Sequence, residues 1–242
     1  MIRTLRKDEE ILDGMLADDK LFNFVMDDPE SVLRISANLF FTILLNRVKT
    51  ELAQRSYTIE HDDRHPMVVF DGGDVASFLQ SKKIRSYLVE LLTSFVRINS
   101  FTIPIRVRKG IWRKIRFSDF DIDSLIKYSQ LVDHTQTFQT YKRIADICLF
   151  SLGVFPDYID IQSHKLSQGY LRPDAMKTGS RAGLANHGRY FYKAAAQHEA
   201  AQINGLADVL NDMSEKFMLA AKPLAFMAGR YLGLIKEKLF LR

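Results

Sequence analysis

The sequence predicts a mainly α fold of the α+β class, a packed multi-helix core carrying one or two short antiparallel β-hairpins. Three observations lead there. Apolar residues recur three and four apart over long stretches, as one face of a helix requires. Capping and stop residues bracket those stretches. Only two regions, 56–70 and 101–117, are rich in β-branched and aromatic residues around a tight polar segment. At 242 residues, with 47% hydrophobic and 26% charged side chains, the chain can bury a sizeable core. Its 12 glycines and 6 prolines form no linker-like run, and no internal repeat is present. A single α-rich unit is therefore expected, with 118–134 as the stretch where two tightly packed lobes would divide.

In chain order, Leu5, Ile11, Leu12, Met15, Leu16, Leu21, Phe22 and Val25 predict one or two short amphipathic helices broken near Asp18 and Asp19. Asp28 is a candidate N-cap, with Pro29 and Glu30 suited to the first turn of a helix running to about Gln54. That helix is apolar nearly all round over 39–45, which predicts a central position. A hairpin follows over 56–70, then a turn at Asp71, Gly72, Gly73 and Asp74, with Asp74 able to cap a short helix through Leu79. Residues 82–99 form the next amphipathic helix, with Ile84, Tyr87, Leu88, Leu91, Leu92, Phe95 and Val96 on its docking face. The second hairpin flanks Lys109 and Gly110. Asp133, His134 and Thr135 offer caps for a helix reaching Leu152, where Gly153 and Pro156 mark the stop. Residues 157–187 predict a long, glycine-punctuated basic loop, and long loops in compact proteins commonly carry function. Helices are expected near 188–202, 204–220 and 223–240, the last opening at Pro223. Within it, Ala225, Gly229 and Gly233 are four apart and would admit a closely packed helix.

Charge is distributed in blocks. The total is +5. Residues 1–30 set nine acidic residues against Arg3, Arg6, Lys7 and Lys20, net −5, whereas 82–116 set ten basic residues against Glu90, net +9. Residues 161–198 set six basic residues against Asp174, net +5. Such blocks attract anionic partners if they fold onto one surface, or neutralise each other within the fold. The charged residues 7–10 stand where a secretory leader would carry an apolar run, and the run at 37–45 falls short of the roughly 18 residues of a membrane span. A cytoplasmic chain with no transmembrane segment is the expectation. Cys148, the lone cysteine, lies in an apolar helical context and reads as core packing.

The most suggestive local pattern is the second hairpin. Strand alternation puts Arg106 and Arg108 on one face of its first strand, and Trp112, Lys114 and Arg116 on one face of its second. Cationic groups beside an indole suit a nucleic-acid-binding ribbon, since the cations neutralise phosphates and the ring can stack. The same charges also suit a solvated edge protected against aggregation, with Arg113 breaking the segregation. A second constellation is His187, Tyr190 and His198, with Arg181 and Arg189 nearby. On one side of a helix beside the basic loop these could move protons while the arginines hold an anionic or phosphorylated substrate. Ordinary helix surface and core contacts are the favoured account of them. His61 and His65 flank Asp62 and Asp63, but β-prone residues before them and Pro66 after them favour a turn over a helical zinc pair. Lys177, Thr178, Gly179, Ser180 and Arg181 lack phosphate-loop spacing, and no dinucleotide, nucleophile-elbow or CxxC motif occurs.

The leading expectation is a non-enzymatic cytoplasmic adaptor or regulator. Its basic hairpin (Arg106, Arg108, Trp112, Lys114, Arg116) and basic loop (Arg181, Arg189) would engage nucleic acid or an acidic protein surface. An enzyme built on 164–198 and a structural subunit of a larger assembly are the alternatives. A protein partner is expected on the first and third readings; no cofactor or metal is implied, and oligomeric state is left open.

Overall fold

A computed structural model describes residues 14–15, 18–55, 57–62, 65–96, 100–108, 111–118, 122–130, 134–156, 180–233 and 235–240. The fold is mainly α, with two separate two-stranded antiparallel sheets among the described residues. The chain divides into two compact units, Met1–Val96 with Leu219–Arg242 and Arg97–Met218. The stretch 118–134 lies inside the second unit.

In the first unit, α1 (Asp19–Asp27) is capped by Asp18, whose carboxylate accepts from the Lys20 N–H at 2.8 Å. The predicted long helix is present as α2 (Pro29–Gln54), but it is interrupted at Ser36, whose φ of −159° and ψ of 102° are extended. The Ser36 hydroxyl accepts from the Leu39 N–H at 3.2 Å, so the serine starts the second segment as a cap. Behind it Phe40, Phe41, Ile43, Leu44, Leu45, Val48 and Leu52 are all buried, which confirms the central position. Leu39 is exposed, so the all-round apolar stretch begins one residue later than the sequence suggests.

The first hairpin pairs β1 (Thr58–Asp62) with β2 (His65–Val69), placing Ile59 opposite Val68 and His61 opposite Pro66. The following short helix, α3, spans Gly72–Phe78, starting three residues earlier than a cap at Asp74 would allow. Asp74 instead lies in its first turn, where a carboxylate suits the helix dipole. Gly72 has to be glycine because a Cβ there would run into the backbone carbonyl of Arg55. Next, α4 (Lys82–Phe95) starts at Ser81, whose hydroxyl accepts from the Ile84 N–H, and buries Ile84, Tyr87, Leu88, Leu91, Leu92 and Phe95. The buried Arg85 donates to the carbonyls of Leu79 and Gln80 at 2.7 and 3.0 Å, satisfying groups that the end of α3 leaves open.

The second unit contains β3 (Ser100–Arg108), β4 (Ile111–Ser118), α5 (Ile122–Ser129) and α6 (His134–Val154). After 157–179, which lie outside the described residues, come α7 (Arg181–Ala196), α8 (Glu199–Ile203) and α9 (Ala207–Glu215). Residues 181–187, expected in the loop, are instead helical, because Ser180 caps α7 by accepting from the Gly183 N–H at 3.0 Å. Leu184, Ala185, Gly188, Phe191, Tyr192 and Ala195 then recur three and four apart as its buried stripe, packed on α6. Gly188 meets the Phe217 ring so closely that any Cβ would collide with it.

The close-packing expectation at Ala225, Gly229 and Gly233 is corrected. A Cβ at Gly229 or Gly233 would meet nothing within 4 Å, and Gly233 serves a turn with φ of 39°. Pro223 does not open a helix either. It sits inside α10 (Phe217–Met227), within which the boundary between the two units falls. A π-helical turn, Ala228–Leu232, follows, and α11 (Ile235–Phe240) returns Phe240 to the first unit's core, stacked on Phe41 at 6.0 Å. No helix among the described residues is long and apolar enough to cross a membrane.

Candidate functional site

The second hairpin forms as its strand-favouring residues predict, and its register decides which residues stand together. Thr102 pairs with Arg116, Pro104 with Lys114 and Arg106 with Trp112. These six positions make one row of the ribbon, in which opposed residues have Cβ atoms about 5 Å apart. The alternation then breaks. A bulge between Arg106 and Arg108 sets Arg108 opposite Ile111, in the row that also holds Ile103, Ile105, Arg113 and Ile115. The basic row therefore comprises Arg106, Lys114 and Arg116 with Trp112, and Arg108 leaves it. Strand period alone cannot reveal a bulge, which is why the sequence put both arginines together. Pro104 is accommodated because a two-stranded ribbon leaves each strand one edge that needs no donor.

The other predicted constellation is dispersed. Arg181 opens α7, and Arg189 and Tyr190 lie exposed on it. His187 places Nδ1 2.8 Å from the Gly183 carbonyl, one turn back in its own helix, and its ring lies parallel to Phe191. His198 is not on α7 at all. The helix ends at Ala196, and His198 caps α8 by accepting from the Ala200 N–H at 3.1 Å through Nδ1. The expected three-turn face from His187 to His198 is thus broken at the helix end. One imidazole nitrogen in each histidine serves the backbone, with opposite roles: Nδ1 donates in His187 and accepts in His198. The strands of the first hairpin include His61 and His65 at backbone positions opposite Pro66 and Asp62, which differs from the helical spacing a zinc pair uses. Among the described residues, no group of three or more His, Cys, Asp or Glu side chains gathers as a metal site would need.

Sequence reasoning missed three polar centres. The first surrounds Glu51, 13% exposed on α2. Its Oε1 accepts from Tyr231 at 2.6 Å and from Arg47 Nε at 3.0 Å. Its Oε2 forms ion pairs with Arg230, whose Nε is 2.8 Å away, and with Arg55, whose Nη2 is 3.9 Å away. Arg47 also pairs with Asp19. Aromatic rings surround the charges, with Arg47 over Phe22 and Arg55 over Phe226, at 5.0 and 5.1 Å from the ring centres. Burial acts to raise the Glu51 carboxyl, but the hydrogen bonds from Tyr231 and Arg47 and the charges of Arg230 and Arg47 outweigh it and hold the group below the ordinary carboxylate range. Burial, the hydrogen bond to Glu51 and the charge of Glu51 push the Tyr231 phenol up to about 12. The Arg47, Glu51, Arg55 spacing of four was legible as one helix face. The arrival of Arg230 and Tyr231 from 180 residues away was not.

The second centre is Asp71, which accepts from the Thr58 hydroxyl and pairs with Lys222, tying the first hairpin to α10. The third is Asp146, buried in the second unit, accepting from the Tyr192 hydroxyl and Lys142 Nζ, each at 2.8 Å. Cys148 is wholly buried, and burial together with the Asp146 charge pushes its thiol well above the ordinary range, so it packs as a neutral side chain. No protein-family model, curated protein or solved structure matches the chain.

Proposed function

We propose that the protein acts by binding, as a non-enzymatic cytoplasmic adaptor or regulator whose second hairpin engages an anionic partner, nucleic acid foremost. The register of β3 and β4 carries this reading, because it sets Arg106 directly across from Trp112 and continues the row through Lys114 and Arg116. Lys114 and Arg116 stand two residues, about 7 Å, apart along β4, and Arg106 stands on β3 opposite Trp112; cations at such spacing can meet neighbouring phosphates of a single strand, and a tryptophan among them suits base stacking. Arg181 and Arg189 on α7 are candidate additional anion contacts. The neutral, buried Cys148 suits a reducing compartment. Purification from the native host at low and high salt, with and without nuclease, tests the reading. Nucleic acid that copurifies at low salt and leaves as salt rises is the expected result; a preparation free of nucleic acid at every salt concentration would overturn it.

A second reading, a subunit of a larger protein assembly, is favoured by the first hairpin. Tyr57, Ile59, Val68 and Phe70 are 38%, 54%, 52% and 79% exposed, and the Tyr57 and Phe70 rings meet edge to face at 6.5 Å. Clustered apolar side chains at a surface mark a protein contact. A partner protein at fixed stoichiometry that survives high salt would support this reading in place of the first.

A further inference from the structure

We propose that Arg55 and Arg230, gathered on Glu51 beside the π-helical turn, form a binding site for a phosphate group. The site lies in the first unit and is independent of the second hairpin. Three guanidinium groups converge on the single carboxylate of Glu51, and among the described residues only Arg47 has a second acidic partner, Asp19. Arg230 sets its Nε 2.8 Å from Glu51 Oε2 and is also hydrogen-bonded to the Tyr231 hydroxyl, so its five-donor guanidinium keeps N–H groups to spare. Arg55 approaches the same oxygen through Nη2 alone, at 3.9 Å, which leaves its Nε and Nη1 without an acceptor among the described residues. Both side chains are part-exposed, at 49% for Arg230 and 37% for Arg55, so the outer donors reach solvent while the inner ones are held.

The arrangement is built rather than incidental. Glu51 is shared with Arg47 and capped by the Tyr231 hydroxyl, so its one negative charge leaves the arginine pair with a positive surplus. The extra residue in a π-helical turn changes where successive side chains point, and here the consecutive residues Arg230 and Tyr231 both meet the same carboxylate. Arg55 is further oriented over the Phe226 ring. Two guanidinium groups directed toward one oxygen favour a tetrahedral dianion over a carboxylate. A carboxylate's two oxygens are matched by one fork, whereas phosphate has enough outer oxygens to accept from both and a second charge to meet the surplus. A free phosphate ester and a lipid headgroup share this chemistry.

The experiment is calorimetric titration of inorganic phosphate into the full chain at neutral pH, with ionic strength held constant by sodium chloride and acetate as the competing anion class. Saturable phosphate binding is expected, with acetate no better than chloride. Arg230→Gln and Arg55→Gln should each weaken it about ten-fold or more, the loss expected for one charged hydrogen-bonding group. Arg55→Gln keeps the test sound if Arg230→Gln unfolds, because the long Arg55 contact contributes little to the fold, and a thermal melt verifies that. Sedimentation with phosphatidate vesicles separates the two sources. Cosedimentation lost in Arg55→Gln assigns the headgroup, and phosphate binding with the protein left in the supernatant assigns a free ester; either supports the site. Heats indistinguishable from chloride, or a folded Arg55→Gln chain that binds phosphate like the parent, would overturn it.

Discussion

The two hairpins share a backbone plan and differ in what they present. The first is short, five residues in each strand, and among the described residues one polar anchor holds it: Thr58 and Lys222 both engage Asp71. Its other row places Ile59 opposite Val68, both exposed, with the Tyr57 and Phe70 rings beside them. The second has strands of nine and eight residues, and one of its rows holds Arg106, Trp112, Lys114 and Arg116. Alternation with a period of two is the same device in both; the residues at every second position decide whether the ribbon suits a partner that removes apolar surface from water or one that releases counterions. Salt separates the two, since counterion release weakens steeply with ionic strength and apolar burial does not.

The largest effect that sharpens this contrast is on the first hairpin's anchor. Asp71→Ala strands the Lys222 ammonium and the Thr58 hydroxyl in a mostly buried setting, which should cost about 3 kcal/mol in urea unfolding. A cost below ~0.5 kcal/mol would show that the hairpin is held by other means. Next in size is the Glu51 centre. Its carboxyl is held below the unfolded value of 4.5, so its contribution is fully present above that pH and is lost as pH falls through the folded value. Tyr231, raised from 10 to about 12, behaves oppositely, with its contribution present below pH 10 and lost as pH rises through the folded value. Glu51→Gln should flatten the acid limb of a stability-against-pH curve, and an unchanged limb would remove Glu51 as its source. The smallest effect is Phe70→Ser, which should alter monomer stability by no more than about 0.5 kcal/mol because the ring is largely exposed. The same change should weaken any salt-resistant partner association, and an unaltered complex would exclude the first hairpin as its interface.

Much of the fold was legible because it rests on local rules. The stripe from Ile84 to Phe95 specifies α4 within a few residues of its ends. The α6 boundaries follow likewise from the His134 region and the Gly153 and Pro156 stop. The errors lie where local rules compete. Ser36 splits α2 because its hydroxyl offers the backbone an alternative to the helix, and nothing in the apolar pattern around it reveals that choice. His198 reads as a helical side chain until Ala196 ends α7 and the imidazole becomes a cap. Long-range centres were the least legible. Lys222 and Arg230 interrupt an apolar stretch in the sequence, and their meaning comes only from Asp71 and Glu51 across the first unit. The basic row was visible as a pattern, whereas the bulge that removes Arg108 from it exists only in the register.

The central claim is that the row containing Arg106 and Lys114 binds a polyanion, and affinity for a single-stranded oligonucleotide measured across a salt series tests it most directly. For the parent chain, log affinity should fall linearly with log salt. Arg106→Glu with Lys114→Glu should lower affinity at every salt concentration and make the slope shallower by about 1.5 to 2, the counterions two phosphate contacts would release. Equal affinities and equal slopes for the two chains, with both folded, would contradict the claim.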